Sequence, residues 1–109
     1  MNDIKGCTAF PCDVSNLEEL VDTISQVKAR LGHPSVVIHN AAKSSRGSLL
    51  ELDPEDLEGN FRVNTTALLY LARETIPAML EAGKGAILVT GNTSATRGIT
   101  NWGFFASTK

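Results

Sequence analysis

The sequence predicts an α/β protein built around a parallel sheet. Three short apolar runs alternate with two amphipathic stretches, in the order strand, helix, strand, helix, strand. Alternation of this kind, with strands that are apolar nearly throughout, is typical of buried parallel strands joined by right-handed crossovers. The predicted strands are residues 7–14, 35–39 and 86–90, and the predicted helices are residues 17–31 and 54–82.

The strand at residues 35–39 is followed first by polar and then by small residues. Its apolar run ends on His39 and Asn40, and Ala41 and Ala42 follow. In open α/β sheets, ligands bind in the crevice beyond the carboxyl ends of the strands. We therefore expect Asn40 to line a ligand site, with two small residues that leave room beside it. The alternative is that Asn40 only satisfies backbone groups at the strand end.

The strand at residues 7–14 is expected at or near a sheet edge. Pro11 lies near its end and cannot donate a ladder hydrogen bond. Asp13 follows the apolar residues at the carboxyl end of this strand. Its carboxylate is either a ligand contact or a turn residue on the approach to the next helix.

The helix at residues 17–31 has a start signal, an apolar stripe and a stop signal. Ser15 and Glu18 have the spacing of a capping box, in which each side chain bonds a free backbone N–H of the helix start. Apolar residues recur at helical spacing along one face. Gly32 is expected to close the helix, because glycine readily adopts left-handed backbone angles.

The helix at residues 54–82 starts at an Asp-Pro pair. Asp53 is a suitable cap, and Pro54 fits the first helical position, where no backbone donor is needed. Pro77 is expected to kink or restart this helix near Ile76, because proline removes a hydrogen bond and crowds the preceding turn.

Composition and charge exclude several classes of function. The 109 residues suffice for one domain, and 42% hydrophobic with 20% charged residues is typical of a globular protein. The formal net charge of −2 and the absence of a basic run argue against a nucleic-acid partner. Apolar segments are too short to span a membrane, and no targeting signal is visible, so we expect a cytoplasmic protein. No His or Cys spacing predicts a metal site.

Five segments, in this order, resemble motifs of the short-chain dehydrogenase/reductase family. The family motifs are an Asp-Val pair, an Asn-Asn-Ala-Gly motif, a helix segment with the catalytic Asn, a fifth strand and a Tyr-x-x-x-Lys motif. The resemblance covers nearly the whole chain. The matching segments are Asp13-Val14, His39-Asn40-Ala41-Ala42, Phe61-Arg62-Val63-Asn64, residues 85–90 and Phe105-Ala106-Ser107-Thr108-Lys109.

The resemblance implies a partial Rossmann-like, doubly wound parallel sheet, with strands three to five of the family's sheet and two intervening helices. Residues 1–109 would then be a partial NAD(P)-binding domain without the N-terminal Gly-rich βαβ unit and without the C-terminal part. The implied activity is hydride transfer between NAD or NADP and a small-molecule carbonyl or alcohol substrate. The chain would be a fragment of such an oxidoreductase.

The resemblance also assigns roles to individual residues. Asn64 would hold a water of a proton relay, Ser94 would polarise the substrate oxygen, and Lys109 would bind the nicotinamide ribose. The cofactor side would comprise Asp13, Val14, Asn40, Ala41, Ala42 and Lys109. Competing interpretations are that Asn64 faces solvent and that Lys109 is an ordinary surface lysine.

Three departures from the family pattern affect the predicted activity. Phe105 stands where the family has its catalytic tyrosine, and a phenyl ring cannot transfer a proton. Counting from Asn92 places the catalytic serine position on Ala95, with Ser94 as its neighbour. The Gly-rich turn that holds the cofactor pyrophosphate is missing. We therefore expect the isolated chain to be inactive.

Several alternatives stay open at this point. The tyrosine's task would fall to a water relayed from Lys109 or to another hydroxyl such as Thr93. The strand at residues 7–14 would either pair directly with the strand at 35–39 or fray. A non-catalytic scaffold of the same family is the second functional hypothesis, because the helix at 54–82 resembles the one such proteins use for homo-oligomer contacts.

Overall fold

Residues 5–109 form two strands, four α-helices and two short turns of other helical types. A computed structural model describes residues 5–109, and residues 1–4 lie outside the description. The elements in chain order are α1 (Leu17–Leu31), β1 (Val36–His39), α2 (Pro54–Phe61), a π-turn (Arg62–Thr66), α3 (Ala67–Glu81), β2 (Ala86–Val89), a 3₁₀ turn (Thr93–Ala95) and α4 (Gly103–Ser107).

The two strands pair in parallel, as the alternation of elements predicts. Val36 lies opposite Ala86, and His39 lies opposite Val89. The crossover between the strands runs through α2, the π-turn and α3. The carboxyl ends of both strands therefore reach the same edge of the sheet, where the sequence places its polar residues.

The predicted strand at residues 7–14 is wrong. The sheet of the described residues has two strands, β1 and β2, and the segment pairs with neither. Without a hydrogen-bonded neighbour, a β-branched and apolar run has no ladder to join. Its apolar side chains are used instead for packing, because Cys12 and Val14 contact the helical core.

The capping box predicted for α1 does not form, and the N-cap lies one residue later than predicted. Asn16 is the N-cap, and its side-chain oxygen accepts a hydrogen bond of 3.2 Å from the backbone N–H of Glu19. Ser15 turns away from the helix and donates to Asp13 Oδ1 through both its backbone N–H and its hydroxyl. The Glu19 carboxylate accepts from the backbone N–H of Asp13 at 3.1 Å, so Glu18 plays no capping part.

The core lies between α1 and α3. Leu20 and Ile24 on α1 pack with Ala67 on α3, and Tyr70 and Leu71 extend the cluster on the α3 side. An ion pair of 2.8 Å between Lys28 and Glu74 joins the same two helices. The last turn of α1 ends at Gly32, which has a φ of 85°, as the sequence predicts.

The predicted burial of both strands is wrong for one face of the sheet. Val36, Ile38 and Leu88 are 54%, 65% and 51% exposed. Side chains alternate along a strand, so these three point to the same face, and no described element packs against it. The opposite face carries His39, which is buried.

The helix predicted at residues 54–82 is interrupted at the π-turn and not at Pro77. Asp53 caps α2 through a hydrogen bond to the N–H of Glu55, as expected. The break lies at the π-turn, where the N–H of Ala67 reaches back five residues to the carbonyl of Arg62. The restart predicted near Ile76 is wrong, because α3 continues through Pro77 to Glu81.

The exposure of Pro77 is consistent with this continuity. Proline has no N–H, so the carbonyl of Arg73, one turn earlier, lacks its helical hydrogen bond. Arg73 and Pro77 are both exposed. Water can therefore satisfy the carbonyl that proline leaves without a donor. Among residues 5–109, no helix has both the length and the apolar character needed to cross a bilayer.

Candidate functional site

The residues that follow β1 and β2 are joined at the carboxyl edge of the sheet. Thr90 donates a hydrogen bond from its hydroxyl to Asn40 Oδ1 at 2.8 Å, and its backbone N–H donates to the carbonyl of His39 at 3.1 Å. Lys109 donates from Nζ to the carbonyl of Thr90 at 3.0 Å. Asn40 and Lys109, both predicted from sequence, thus meet at Thr90, which the sequence analysis did not single out.

Asn64 lies in the π-turn with its amide fully bonded to other parts of the chain. Its Oδ1 accepts from the backbone N–H of Lys43 at 2.8 Å, and its Nδ2 donates to the Lys43 carbonyl at 2.9 Å and to Thr108 Oγ1 at 2.8 Å. Asn64 is 4% exposed, so the interpretation that it faces solvent is wrong. The bonds fasten the loop after β1 and the end of α4 to one helical turn.

A second buried amide supports the same loop one turn earlier. Asn60 is fully buried, and in the orientation that satisfies both ends its oxygen accepts from the backbone N–H of Ser45 at 3.2 Å. Its nitrogen donates to the carbonyl of Asp56 at 3.2 Å. Asn60 and Asn64 are four residues apart, the spacing of neighbours on one helix face, and this spacing is the sequence signal that was missed.

His39 holds the π-turn from the sheet side. Its Nε2 donates to the carbonyl of Val63 at 3.0 Å, which fixes the tautomer that carries the proton on Nε2. Burial lowers the pKa of His39, and the positive charge of Lys109 lowers it further, although the carbonyls of Val63 and Asn64 act in the opposite direction. The imidazole is therefore neutral at pH 7.

The end of α4 brings Phe105, Thr108 and Lys109 together. The ring of Phe105 is buried, and its centroid lies 5.7 Å from Lys109 Nζ. Thr108 Oγ1 donates to the carbonyl of Phe105 at 2.9 Å, and its own carbonyl accepts from Thr65 Oγ1 at 3.2 Å. Lys109 is thus held by its ammonium group and by the residue before it, unlike a free surface lysine.

Ser94 lies in the wall of a cavity of about 280 Å³, next to α4. Ser94 is 6% exposed, and its hydroxyl oxygen is buried without a hydrogen-bond partner. Every other buried side-chain nitrogen or oxygen among the described residues has a partner. Its backbone N–H is bound by the Asn92 side chain at 2.9 Å. The other lining residues are Asn92, Thr93, Ile99, Trp102 and Phe105.

The remaining predicted cofactor residues are Asp13, Val14, Ala41 and Ala42. The carboxylate of Asp13 accepts hydrogen bonds from the hydroxyl and the backbone N–H of Ser15. Both bonds lower the pKa of Asp13, and the positive charge of Lys43 acts in the same direction. Val14 packs against the core between α1 and α3. Ala41 is half-buried, and Ala42 is exposed beside the strand end. No group of three metal-ligating side chains occurs in residues 5–109.

The family follows from comparison of the whole chain with known proteins. A family model described as enoyl-(acyl carrier protein) reductase matches residues 1–109. Short-chain dehydrogenase/reductase 3 of Homo sapiens is 30% identical over 93 residues, which are 85% of this chain. This chain belongs to the short-chain dehydrogenase/reductase family. It spans 31% of the length of that human relative.

Solved structures of the family have the same fold. A short-chain dehydrogenase from Streptomyces avermitilis matches with a TM-score of 0.87 at 23% identity, covering 92% of this chain and 37% of that chain. An alcohol dehydrogenase from Thermococcus sibiricus, solved as a complex with 5-hydroxy-NADP, matches with a TM-score of 0.81 at 28% identity. It covers 89% of this chain and 41% of that chain. The Rossmann-like α/β architecture predicted from sequence is confirmed.

Proposed function

We propose that this chain forms part of the active site of an NAD(P)-dependent oxidoreductase that acts on a small carbonyl or alcohol compound. The observation that carries the proposal is the buried, unpartnered hydroxyl of Ser94, a residue that lines a cavity together with Phe105. A buried hydroxyl without a partner costs free energy unless a ligand atom completes its bonding. A substrate oxygen is an atom of the right kind.

The proposed reduction adds a hydride to the carbonyl carbon and a proton to the carbonyl oxygen, and it gives an alcohol. Ser94 donates its O–H to that oxygen and stabilises the negative charge that develops there. Ile99 and Trp102 supply apolar walls that exclude water from the reacting carbon. Oxidation of an alcohol is the reverse of the same steps.

The carboxyl edge of the sheet offers several of the contacts that a bound dinucleotide needs. Asn40 and Ala42 are exposed there, and Lys109 is held at the same edge through Thr90. In our proposal Lys109 binds the nicotinamide ribose, Asn40 and the two alanines line the floor, and Asp13 with Val14 contacts the adenine side. When bound, NAD or NADP supplies or accepts the hydride. The 5-hydroxy-NADP complex of the Thermococcus relative supports this class of cofactor.

The proton source is the unusual part of the proposal. Phe105 has no group that can transfer a proton, so the tyrosine's task passes to a water bound by Lys109 or to the hydroxyl of Thr93. Thr93 lines the same cavity as Ser94, which supports the second route. Asn64 belongs to the first route, as the proposed holder of the relay water at the π-turn. Because both hydrogens of its amide are used within the chain, that water would donate to an oxygen of Asn64.

The proposal is tested by measuring the reduction of carbonyl compounds. The protein used is the whole oxidoreductase, of which we propose that this chain is one part. Ser94→Ala is expected to lower kcat by about 100-fold, the typical loss for one donor to a developing oxyanion. Ser25→Ala is the matched control, because that hydroxyl only bonds the Val21 carbonyl on exposed α1. Equal rates in the Ser94 variant and the control would refute the role of Ser94.

The 109-residue chain by itself is expected to be inactive in our proposal. The sequence has no Gly-rich turn to hold a pyrophosphate, and the domain would be completed by segments beyond those described here. Oxidation of NADPH with any carbonyl substrate by the purified chain would contradict this part of the account.

A second candidate function is a non-catalytic scaffold that forms homo-oligomers through the α2–α3 region. Phe105 favours it, and so does an apolar stripe on α3 formed by Leu69, Ile76 and Leu80, which are 54%, 39% and 75% exposed. Their spacing of seven and four residues places them on one helix face. Leu69→Lys with Leu80→Lys is expected to lower the mass in sedimentation equilibrium, and an unchanged mass would exclude this interface.

A further inference from the structure

We propose that Thr108 is a positioning residue whose hydroxyl fixes Lys109 relative to Asn64. The inference rests on the proposed function, because it assigns Thr108 to two residues of that site. The Thr108 side chain is 6% exposed and lies between the π-turn and α4. It is the one side chain among those described here that bonds directly to both.

The hydroxyl of Thr108 has one hydrogen, and the structure assigns its direction. Oγ1 lies 2.9 Å from the carbonyl of Phe105, to which it can only donate. It lies 2.8 Å from Asn64 Nδ2, from which it can only accept. The two bonds are complementary, since they use the one hydrogen and one of the two lone pairs of the hydroxyl, and neither partner can be removed without loss of a bond.

Asn64 has no freedom to compensate. Its Oδ1 is held by the N–H of Lys43, which forces Nδ2 to the opposite side. The two hydrogens of Nδ2 are used by the Lys43 carbonyl and by Thr108. Loss of the Thr108 hydroxyl therefore leaves a buried N–H without a partner and loosens the loop at Lys43.

Lys109 is the next residue, and its position follows from Thr108. Thr108 is bound on both sides, since its carbonyl also accepts from Thr65 Oγ1 at 3.2 Å. The backbone of Lys109 therefore starts from a fixed point, and its Nζ reaches the carbonyl of Thr90 at 3.0 Å. The position of Lys109 therefore requires a hydroxyl at residue 108, and a side chain of the same volume without a hydroxyl does not suffice.

The test compares three variants of Thr108. Thr108→Val keeps the shape and removes the hydroxyl, Thr108→Ser keeps the hydroxyl, and Thr108→Cys replaces it with a weak thiol donor and acceptor. Thr8→Val, at an exposed position outside the helices and strands, is the control for the Thr-to-Val change. The readouts are amide hydrogen exchange of the chain and steady-state kinetics of the whole oxidoreductase.

We expect Thr108→Val to accelerate exchange of the Lys43 amide by about tenfold, the factor for loss of one hydrogen bond in its network. In the enzyme it lowers kcat by roughly 10- to 100-fold with KM changed less than about twofold, because misplacement affects the reacting geometry. Thr108→Ser restores both values to within about twofold of the wild type. If Thr108→Val does not fold, Thr108→Cys shows the same direction of change.

Two results would overturn the proposal. One is unchanged Lys43 exchange in the Val or Cys variant, and the other is a kcat for Thr108→Ser as low as that for Thr108→Val. A wild-type oxidoreductase that reduces no carbonyl substrate refutes the proposed function instead, and the exchange measurement still decides the role of Thr108.

Discussion

At the scale of single residues, buried polar side chains determine the geometry of the site. His39, Asn60, Asn64 and Thr108 are each less than a tenth exposed, and each bonds to a carbonyl or amide of another element. Ser94 is the contrast, because its hydroxyl is equally buried and has no partner. The difference separates residues that hold the site together from Ser94, which we propose binds the substrate oxygen.

His39 predicts a dependence of stability on pH. Its folded pKa is lowered from the usual 6.5, so the unfolded chain binds more protons between the two pKa values. The unfolding free energy is therefore at its full value above about pH 6.5 and falls as the pH drops below it. Urea unfolding at about pH 7.5 and about pH 5.5 measures the loss.

The matched variants are His39→Asn and His33→Asn. His39→Asn removes the titrating ring and is expected to flatten the change between the two pH values, whatever its cost to overall stability. His33 is exposed and serves as the control, with the wild-type slope retained. A wild-type slope in His39→Asn would show that another group causes the pH dependence.

Phe105 predicts a gain of function on substitution by tyrosine. A phenol at this position would lie next to Lys109 and in the wall of the Ser94 cavity, where it can donate a proton to the substrate oxygen. In the whole oxidoreductase, Phe105→Tyr is expected to raise kcat by about 100-fold, within the usual range for a general acid. Phe104→Tyr is the control, and no gain in Phe105→Tyr would favour the scaffold function.

At the scale of elements, the sequence predicts what depends on local pattern and misses what depends on neighbours. The helix predicted at residues 17–31 forms there, and the strands predicted at 35–39 and 86–90 form at 36–39 and 86–89, because periodicity and stop residues determine them locally. The strand at residues 7–14 fails, since a strand needs a partner that its own sequence does not specify. The π-turn was missed because it depends on bonds from Asn64 to Lys43 and Thr108.

The displaced cap of α1 gives a stability prediction for an element. Asn16→Ala removes the acceptor for the Glu19 N–H and is expected to cost about 1 kcal/mol in unfolding free energy. Glu18→Ala, which would be costly if the box predicted at Ser15 existed, is expected to stay within about 0.5 kcal/mol of the wild type. Denaturant unfolding measures the loss of unfolding free energy in both variants. A larger loss in Glu18→Ala than in Asn16→Ala would support the capping box predicted at Ser15 instead.

At the scale of the whole molecule, the sheet has one uncovered apolar face. Val36, Ile38 and Leu88 are more than half exposed on two adjacent strands, and an exposed apolar face beside open strand edges promotes association. The same alternation that predicts a doubly wound sheet predicts burial on both faces. On the other face the described residues bury His39, which bonds to the π-turn.

This face predicts concentration-dependent association of the isolated chain. Ile38→Lys is expected to reduce light scattering at high protein concentration, because it places a charge in the centre of the face without touching the core. Leu31→Lys changes an equally exposed apolar residue at the end of α1 and is the control. Equal scattering from the wild type and both variants would show that the face does not drive association.

The central claim is that hydride transfer occurs beside the hydroxyl of Ser94, and an isotope label tests it directly. NADPH or NADH carrying deuterium at the transferred position of the nicotinamide is incubated with the whole oxidoreductase and a panel of small carbonyl compounds. The account predicts deuterium on the carbinol carbon of an alcohol product, transferred about 100-fold more slowly by Ser94→Ala and at the wild-type rate by Ser25→Ala. No labelled alcohol from any compound with either cofactor, or equal transfer rates in the two variants, would contradict it.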